Sequence, residues 1–187
     1  MNYTRISEEQ YYKSSALELF AGTDKYNKCY ATIVIGNNVY KFAWESDLIS
    51  PIIREQTSEF VVISVDQSFC VIHLKDNLVL RCSFDTNIID VFFKDMCCIG
   101  ICEMSVVVLK LANKANYYKE YRVDDIISDY QMGRNEIIEL RLLDGSLKTI
   151  DFHNNDFCVL KQIKVQLIHI RYEQTARRMG TKTSFRP

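Results

Sequence analysis

The sequence predicts a mainly β, antiparallel fold that carries one N-terminal amphipathic helix. Between residues 28 and 160, short runs rich in β-branched and aromatic residues alternate with turn signals such as Asp144-Gly145. These runs recur at a regular spacing, whereas residues 6–22 show helical periodicity. With 187 residues, of which 48% are hydrophobic, the chain is long enough for a single domain spanning 1–187 with its own core.

The N-terminal helix is predicted over residues 6–22. Ser7 is a suitable N-cap and Gln10 follows three residues later, which is the pattern of a capping box. Ile6 and Tyr11 stand at the two positions of a hydrophobic staple. One apolar stripe then follows at helical spacing, formed by Tyr12, Ala16, Leu19 and Phe20.

A short pattern recurs through residues 28–160. An aromatic residue precedes Asp or Asn and then a pair of aliphatic residues, with the aromatic at Trp44, Phe84, Tyr121 and Phe152, 31 to 40 residues apart. The two middle copies also align internally, which places Ser68 on Ser105, Leu74 on Leu111, and Ile88-Ile89 on Ile126-Ile127. Each unit contains three or four short strands.

This spacing resembles the blades of a β-propeller. Four units are few for a closed ring, so the resemblance implies a partial β-propeller, and a twisted β-sandwich is the alternative. On the propeller interpretation the aromatic residue closes the outer strand of one blade, the polar residue turns the chain, and the aliphatic pair begins the inner strand of the next blade. Residues 161–172 predict a final strand that covers a sheet edge.

Charge is unevenly distributed along the chain. The net charge is −1, but the last 17 residues hold five Lys or Arg and one Glu, so they carry +4 and the remaining 170 residues carry −5. Residues 173–187 are predicted to be a flexible basic tail. A mildly acidic body argues against direct binding of nucleic acid, which requires basic residues across the folded surface.

The sequence offers no signature of catalysis or of a cofactor. It contains no CxxC pair, HExxH, GxSxG, GxGxxG or phosphate-binding loop, and strand alternation separates Cys97 from Cys98 and Cys102. The seven cysteines are an odd number in a chain without a secretory signal or membrane span, which predicts buried thiols in the cytoplasm. No catalytic residue, metal site, cofactor or small-molecule substrate is therefore expected. A scattered enzyme site around His73 or His153 is the least favoured alternative.

The surface candidates are aromatic and acidic. Tyrosine is enriched at protein interfaces, and an acidic surface attracts a basic partner and accelerates their encounter. The sequence therefore predicts one basic protein partner, and the candidate partner-binding residues are Tyr117, Tyr118, Asp124, Asp125, Asp129 and Tyr130.

A small, acidic-bodied chain without catalytic motifs, rich in Asn, Ile, Tyr and Cys, is similar to bacterial immunity proteins of contact-dependent growth inhibition and related polymorphic toxin systems. The resemblance is one of type and assigns no functional residue. It implies a cytoplasmic, non-enzymatic protein that neutralises one cognate toxin domain, a nuclease, by occlusion. The alternative is a propeller-like scaffold or adaptor that binds several peptides with micromolar affinity.

Overall fold

In the part of the chain that the structure describes, four β-sheets follow one another, and one short helix packs against the first of them. The computed structural model describes residues 1–20, 26–56, 59–76, 78–111, 117–133, 137–152, 158–159 and 166–169. The first sheet has the order β1-β3-β4-β2, in which only β2 runs parallel to its neighbour. Its elements are β1 (Tyr3–Ile6), α1 (Glu8–Lys13), β2 (Leu17–Glu18), β3 (Cys29–Ile35) and β4 (Asn38–Trp44).

The other three sheets are antiparallel meanders. The second contains β5 (Ile52–Gln56), β6 (Phe60–Val65), β7 (Ser68–His73) and β8 (Leu78–Ser83). The third contains β9 (Ile88–Lys94), β10 (Cys97–Cys102), β11 (Ser105–Lys110) and β12 (Tyr117–Arg122). The fourth contains β13 (Ile127–Met132), β14 (Ile137–Leu142) and β15 (Leu147–Asp151). The C-terminal strands β16 (Cys158–Val159) and β17 (Gln166–His169) pair with β12 and β8, respectively.

Neighbouring sheets share hydrophobic cores in chain order. The first core joins sheets one and two, the second joins sheets two and three, and the third joins sheets three and four. This order explains the unbroken apolar strands "FVVISV" and "CCIGIC": both faces of the middle sheets are covered, so alternate residues enter different cores. Among the described residues no core joins the first sheet to the last, so the sheets form an open array.

The mainly β, antiparallel prediction with an N-terminal helix is confirmed. The sheets begin earlier than residue 28, however, because β1 and β2 complete the first one. The predicted final strand over 161–172 is described at Gln166–His169, where Leu167 pairs with Leu80. The rest of that segment and the tail over 173–187 lie outside the described residues.

The internal repeat is visible in backbone hydrogen bonds. The Leu74 N–H donates to Glu59 O at 2.8 Å and the Leu111 N–H donates to Met96 O at 2.9 Å, both pairs shifted by the same 37 residues. The alignment of Leu74 with Leu111 is therefore confirmed.

Beyond that point the register of the repeat changes. The Phe84 N–H donates to Gln67 O, and the equivalent bond to Met104 O comes from the Val123 N–H. Val123, rather than Tyr121, thus stands at the position of Phe84. Ile88 likewise corresponds to Ile127, because their N–H groups donate to Asp66 O and Glu103 O, each at 2.7 Å. The shift arises because the chain between β11 and β12 is two residues longer than that between β7 and β8.

The helix begins as predicted but ends much earlier. The Gln10 N–H donates to Ser7 Oγ at 3.2 Å, and the Ser7 N–H donates to Gln10 Oε1 at 2.9 Å, which completes the capping box. α1 ends at Lys13 rather than near residue 22, because the backbone becomes extended at Ser14 and Leu17–Glu18 then pair with β4. Lys41 Nζ donates to Tyr11 O and Ser14 O at this end, at 3.0 and 2.9 Å. Within the described ranges no helix is long and apolar enough to cross a membrane.

Gly100 permits close contact between the second and third sheets. A Cβ atom at this position in β10 would lie 3.3 Å from Phe69 Cε1 across the second core. We expect Gly100→Val to lower the free energy of unfolding by about 1–3 kcal/mol, since extra methyl groups force a packed core apart. Urea denaturation followed by circular dichroism measures this loss. The matched test is the double variant Gly100→Val with Phe69→Leu. Its loss of unfolding free energy should be smaller than the sum of the losses in the two single variants.

An acidic end as the candidate functional site

Six connectors at one end of the sheets carry only acidic charge. Strands alternate in direction along each meander, so every second connector returns to the same end. These connectors are residues 45–51, 66–67, 84–87, 103–104, 123–126 and 143–146, and they contain no Lys or Arg. We call this surface the acidic end. Its eight carboxylates belong to Glu45, Asp47, Asp66, Asp85, Glu103, Asp124, Asp125 and Asp144.

Hydrogen bonds join these connectors across sheet boundaries. Asp66 accepts from the Glu45 N–H through its side chain at 2.8 Å and from the Ile88 N–H through its carbonyl at 2.7 Å. Its backbone has a φ of 50°, a conformation that Asp tolerates in tight turns. Asp125 Oδ2 accepts from the Asp144 N–H at 3.0 Å. Asp144 Oδ1 accepts from the Ser146 N–H at 2.8 Å. Three of the eight carboxylates thus hold turns in place, and the surface is contiguous.

Large apolar side chains are exposed among these carboxylates. Leu48 is 92% exposed and Leu143 is 65% exposed, and Met104 and Ile126 are also exposed. Exposed apolar groups surrounded by polar residues are typical of surfaces that bind other proteins. The six connectors therefore combine apolar contact area with a single sign of charge. Three basic residues border them: Lys28, whose N–H donates to Trp44 O at 3.0 Å, Arg122 and Lys148.

Only part of the negative charge is neutralised within the chain. Lys148 Nζ lies 2.5 Å from Asp124 Oδ2, although the Asp124 side chain is 90% exposed. Hydrogen bonds from Ser146 hold the pKa of Asp144 below its ordinary value. Among the described residues no ion pair involves Asp47 or Asp85. These carboxylates remain available to a basic partner.

Of the three predicted aspartates, two lie at the acidic end. Asp124 is exposed, and Asp125 is a turn residue that also accepts from the Ile126 N–H at 2.8 Å. Asp129 is exposed on β13, where its Oδ1 accepts from the Tyr130 N–H at 2.9 Å.

Tyr118 does not lie on one surface with Asp124 and Asp125. Tyr118 packs against the second core, and Asp124 follows six positions later in extended chain, a distance of about 20 Å. Tyr117 pairs through its backbone with Lys110 and Val159 at the same far end of β12. The structure does not describe the position of the Tyr117 side chain.

Tyr130 belongs to a polar contact between three sheets. Its ring stacks on Phe92 with a centroid distance of 5.9 Å, and its hydroxyl donates to Asp90 Oδ2. Arg54 from β5 lies 3.3 Å from Asp90 Oδ1. Burial, then the hydrogen bond and charge of Asp90, raises the pKa of Tyr130 to about 12. This tyrosine therefore positions the sheets relative to one another.

Removal of the Tyr130 hydroxyl should weaken this contact. We expect Tyr130→Phe to lower the free energy of unfolding by about 1–2 kcal/mol at neutral pH. Because the folded pKa is raised, the hydroxyl's contribution is complete below pH 10 and is lost as the pH rises towards 12. The gap between the wild-type and variant stabilities in urea should therefore narrow above pH 10. If the wild type and Tyr130→Phe have the same unfolding free energy at neutral pH, or if their difference grows above pH 10, this role of the Tyr130 hydroxyl is contradicted.

Six described cysteines pack in or against the hydrophobic cores. Cys98 and Cys102 enter the second core and Cys97 packs against the third, as strand alternation predicted. Burial raises the pKa of Cys70 to about 12 and raises that of Cys98 strongly, and such thiols are poor nucleophiles near neutral pH. His73 stacks on Phe60, while His153 lies outside the described residues. No described group of three or more His, Cys, Asp or Glu could hold a metal ion.

A cleft of about 280 Å³ opens at the acidic end, between the second and third sheets. It lies above the second core and has both apolar and charged walls. The prediction from sequence missed it, because its walls come from three separate segments. The lining residues are Phe84, Asp85, Thr86, Met104, Ser105, Glu120, Arg122 and Val123.

Comparison with known proteins assigns no family to this arrangement. No protein-family model matches the chain, and no match was found among curated proteins or solved structures.

Proposed function

We propose that the chain is a non-enzymatic protein that binds one basic protein partner at its acidic end and occludes it. The observation that carries the proposal is the charge of that end, eight carboxylates and no Lys or Arg in six connectors. In its most concrete form the protein is an immunity protein, and the partner is the toxin domain of a nuclease. The similarity in type to immunity proteins supports this form.

An acidic surface suits the inhibition of a nuclease on physical grounds. An enzyme that binds RNA or DNA presents basic residues to the phosphate groups. Carboxylates on a partner compete for the same residues, and their field accelerates the encounter. Exposed Leu48 and Leu143 add apolar area that becomes buried on contact, which slows dissociation.

The proposed compartment is the cytoplasm. Six described cysteines are free thiols, and five of them are buried. Free thiols are typical of proteins kept in a reducing compartment. An immunity protein in the cytoplasm would meet its toxin there.

The test is affinity capture of the tagged protein from lysate of its source organism, followed by mass spectrometry. We expect one stoichiometric basic protein that resists moderate salt. Expression of that protein alone should arrest growth, and co-expression with this chain should restore it. A variant with reversed charges at the acidic end is the matched control, and it should neither capture the partner nor restore growth.

Other outcomes would overturn the proposal. Several weakly held proteins would favour the scaffold or adaptor. A captured partner whose activity continues unchanged in the complex would exclude neutralisation by occlusion. Equal capture by the reversed-charge variant would exclude the acidic end as the binding surface.

A further inference from the structure

We propose that the cleft at the acidic end is an anchor pocket for one arginine side chain of the basic partner. The choice of a partner protein as the source of this arginine rests on the proposed function. The pocket itself is argued from the size, walls and charge of the cleft.

The walls of the cleft suit an aliphatic stem. The Phe84 ring stacks on Phe69 of the second core at a centroid distance of 5.3 Å, which fixes one wall. Val123 also lines the cleft, with its side chain buried in the third core, and Met104 is exposed, so its flexible side chain can adjust to an occupant. Arginine buries its methylene groups along such apolar surface while its guanidinium group reaches polar partners.

The charges of the cleft select a cation. Asp85 and Glu120 contribute two carboxylates, and the Glu120 side chain is only 29% exposed. The chain's own Arg122 already lies beside this carboxylate, with its Nε 3.3 Å from Glu120 Oε2. The Arg122 side chain is 74% exposed, and ion pairs this exposed contribute little stability. An incoming guanidinium group that is better buried can therefore displace it.

Size and geometry favour an arginine side chain over other cations. The cleft volume of about 280 Å³ is just below the roughly 300–1,000 Å³ of pockets that enclose small-molecule ligands. It therefore fits one side chain of a bound protein. A planar guanidinium group can pair with a carboxylate through two hydrogen bonds, which an ammonium group does not. Arginine is also enriched among the residues that dominate binding energy at interfaces.

The experiment is a nuclear magnetic resonance titration of the full chain with N-acetyl-arginine methylamide. The analogues of lysine and of citrulline, which is uncharged and similar in shape to arginine, serve as comparison probes. We expect saturable shifts of the Thr86, Ser105 and Val123 amides with a Kd of about 1 mM for the arginine probe. The lysine probe should bind at least threefold more weakly, and the citrulline probe should produce no saturable shift.

Two variants test the roles of the lining residues. Glu120→Gln should weaken binding of the arginine probe at least threefold, whereas the control Glu139→Gln, at an exposed carboxylate on β14, should leave it unchanged. Arg122→Ala should tighten binding at least twofold, because it removes the internal competitor. The proposed pocket would be overturned if the citrulline probe bound as tightly as the arginine probe. It would also be overturned if Glu120→Gln and Glu139→Gln changed the affinity for the arginine probe equally.

The pocket and the proposed function can fail separately. If the arginine probe binds as expected but no basic partner is captured from lysate, the proposed function fails and the pocket is retained. If a basic partner is captured, and Glu120→Gln and Glu139→Gln bind it with equal affinity, the pocket is overturned while the proposed function stands.

Discussion

Replacing Trp44 with alanine is expected to lower the free energy of unfolding by about 3–5 kcal/mol, the usual cost of removing a large buried aromatic side chain. Trp44 is 1% exposed in the first core. Its ring stacks on Phe42 at 5.7 Å and meets Tyr3 of β1 edge-on at 6.1 Å. Its Nε1 donates to Ile49 O at 3.1 Å, which fixes the chain as it leaves the first sheet. Truncation would therefore leave a cavity and an unpaired carbonyl group together.

The measurement is urea denaturation followed by circular dichroism, because Trp44 is the only tryptophan and its loss removes the fluorescence signal. Trp44→Phe retains an aromatic ring but not the hydrogen bond, and should cost less than the alanine variant. Phe84→Ala and Tyr121→Ala remove partly buried rings and should cost less than Trp44→Ala. Near-neutral values at all three positions would contradict the blade interpretation.

Elements with local signals could be predicted from the sequence. Gly36 and Gly145 in the hairpin turns adopt positive φ values of 60° and 86°, a conformation that glycine adopts without strain. Glycine therefore marks the position of these turns in the sequence. The strands β1 and β2 have no such signal, since they contain only four and two residues, respectively, and pair with strands distant in the chain. The helix was predicted too long for a related reason. Leu19 and Phe20 belong to its predicted apolar stripe, but both follow β2, which pairs with β4, and both are buried in the first core.

The candidate site could be predicted only in part. Adjacent acids mark Asp124 and Asp125 within one short window, and both lie at the acidic end. The rest of that surface is collected from connectors between residues 45 and 146, so no single window shows it. Tyr118 and Tyr130 were expected to bind a partner because tyrosine is enriched at protein interfaces. Both pack against cores between neighbouring sheets, Tyr118 against the second core and Tyr130 against the third.

Reversing three charges at the acidic end is expected to weaken binding of the basic partner at least 100-fold. The variant is Asp47→Lys, Asp85→Lys and Asp124→Lys, whose carboxylates are exposed and hold no turn in place. Asp125 is left intact because it accepts two backbone N–H groups, so its replacement would disturb the turn itself. Most of the loss should appear in the association rate, because opposite charges steer the encounter, and the difference should shrink as salt is raised.

A second triple variant distinguishes the effect of charge at the acidic end from the effect of net charge on binding. It carries Glu55→Lys, Asp76→Lys and Glu139→Lys. These acids are exposed and lie outside the six connectors, and the change in net charge is identical. Surface plasmon resonance at two salt concentrations gives both rates, and circular dichroism melting verifies that each variant folds. If net charge alone attracts the partner, the two triples will weaken binding equally. If the acidic end is the binding surface, the second triple will bind within a few-fold of the wild type, because its charges lie more than one Debye length from the contact, about 10 Å at 0.1 M salt.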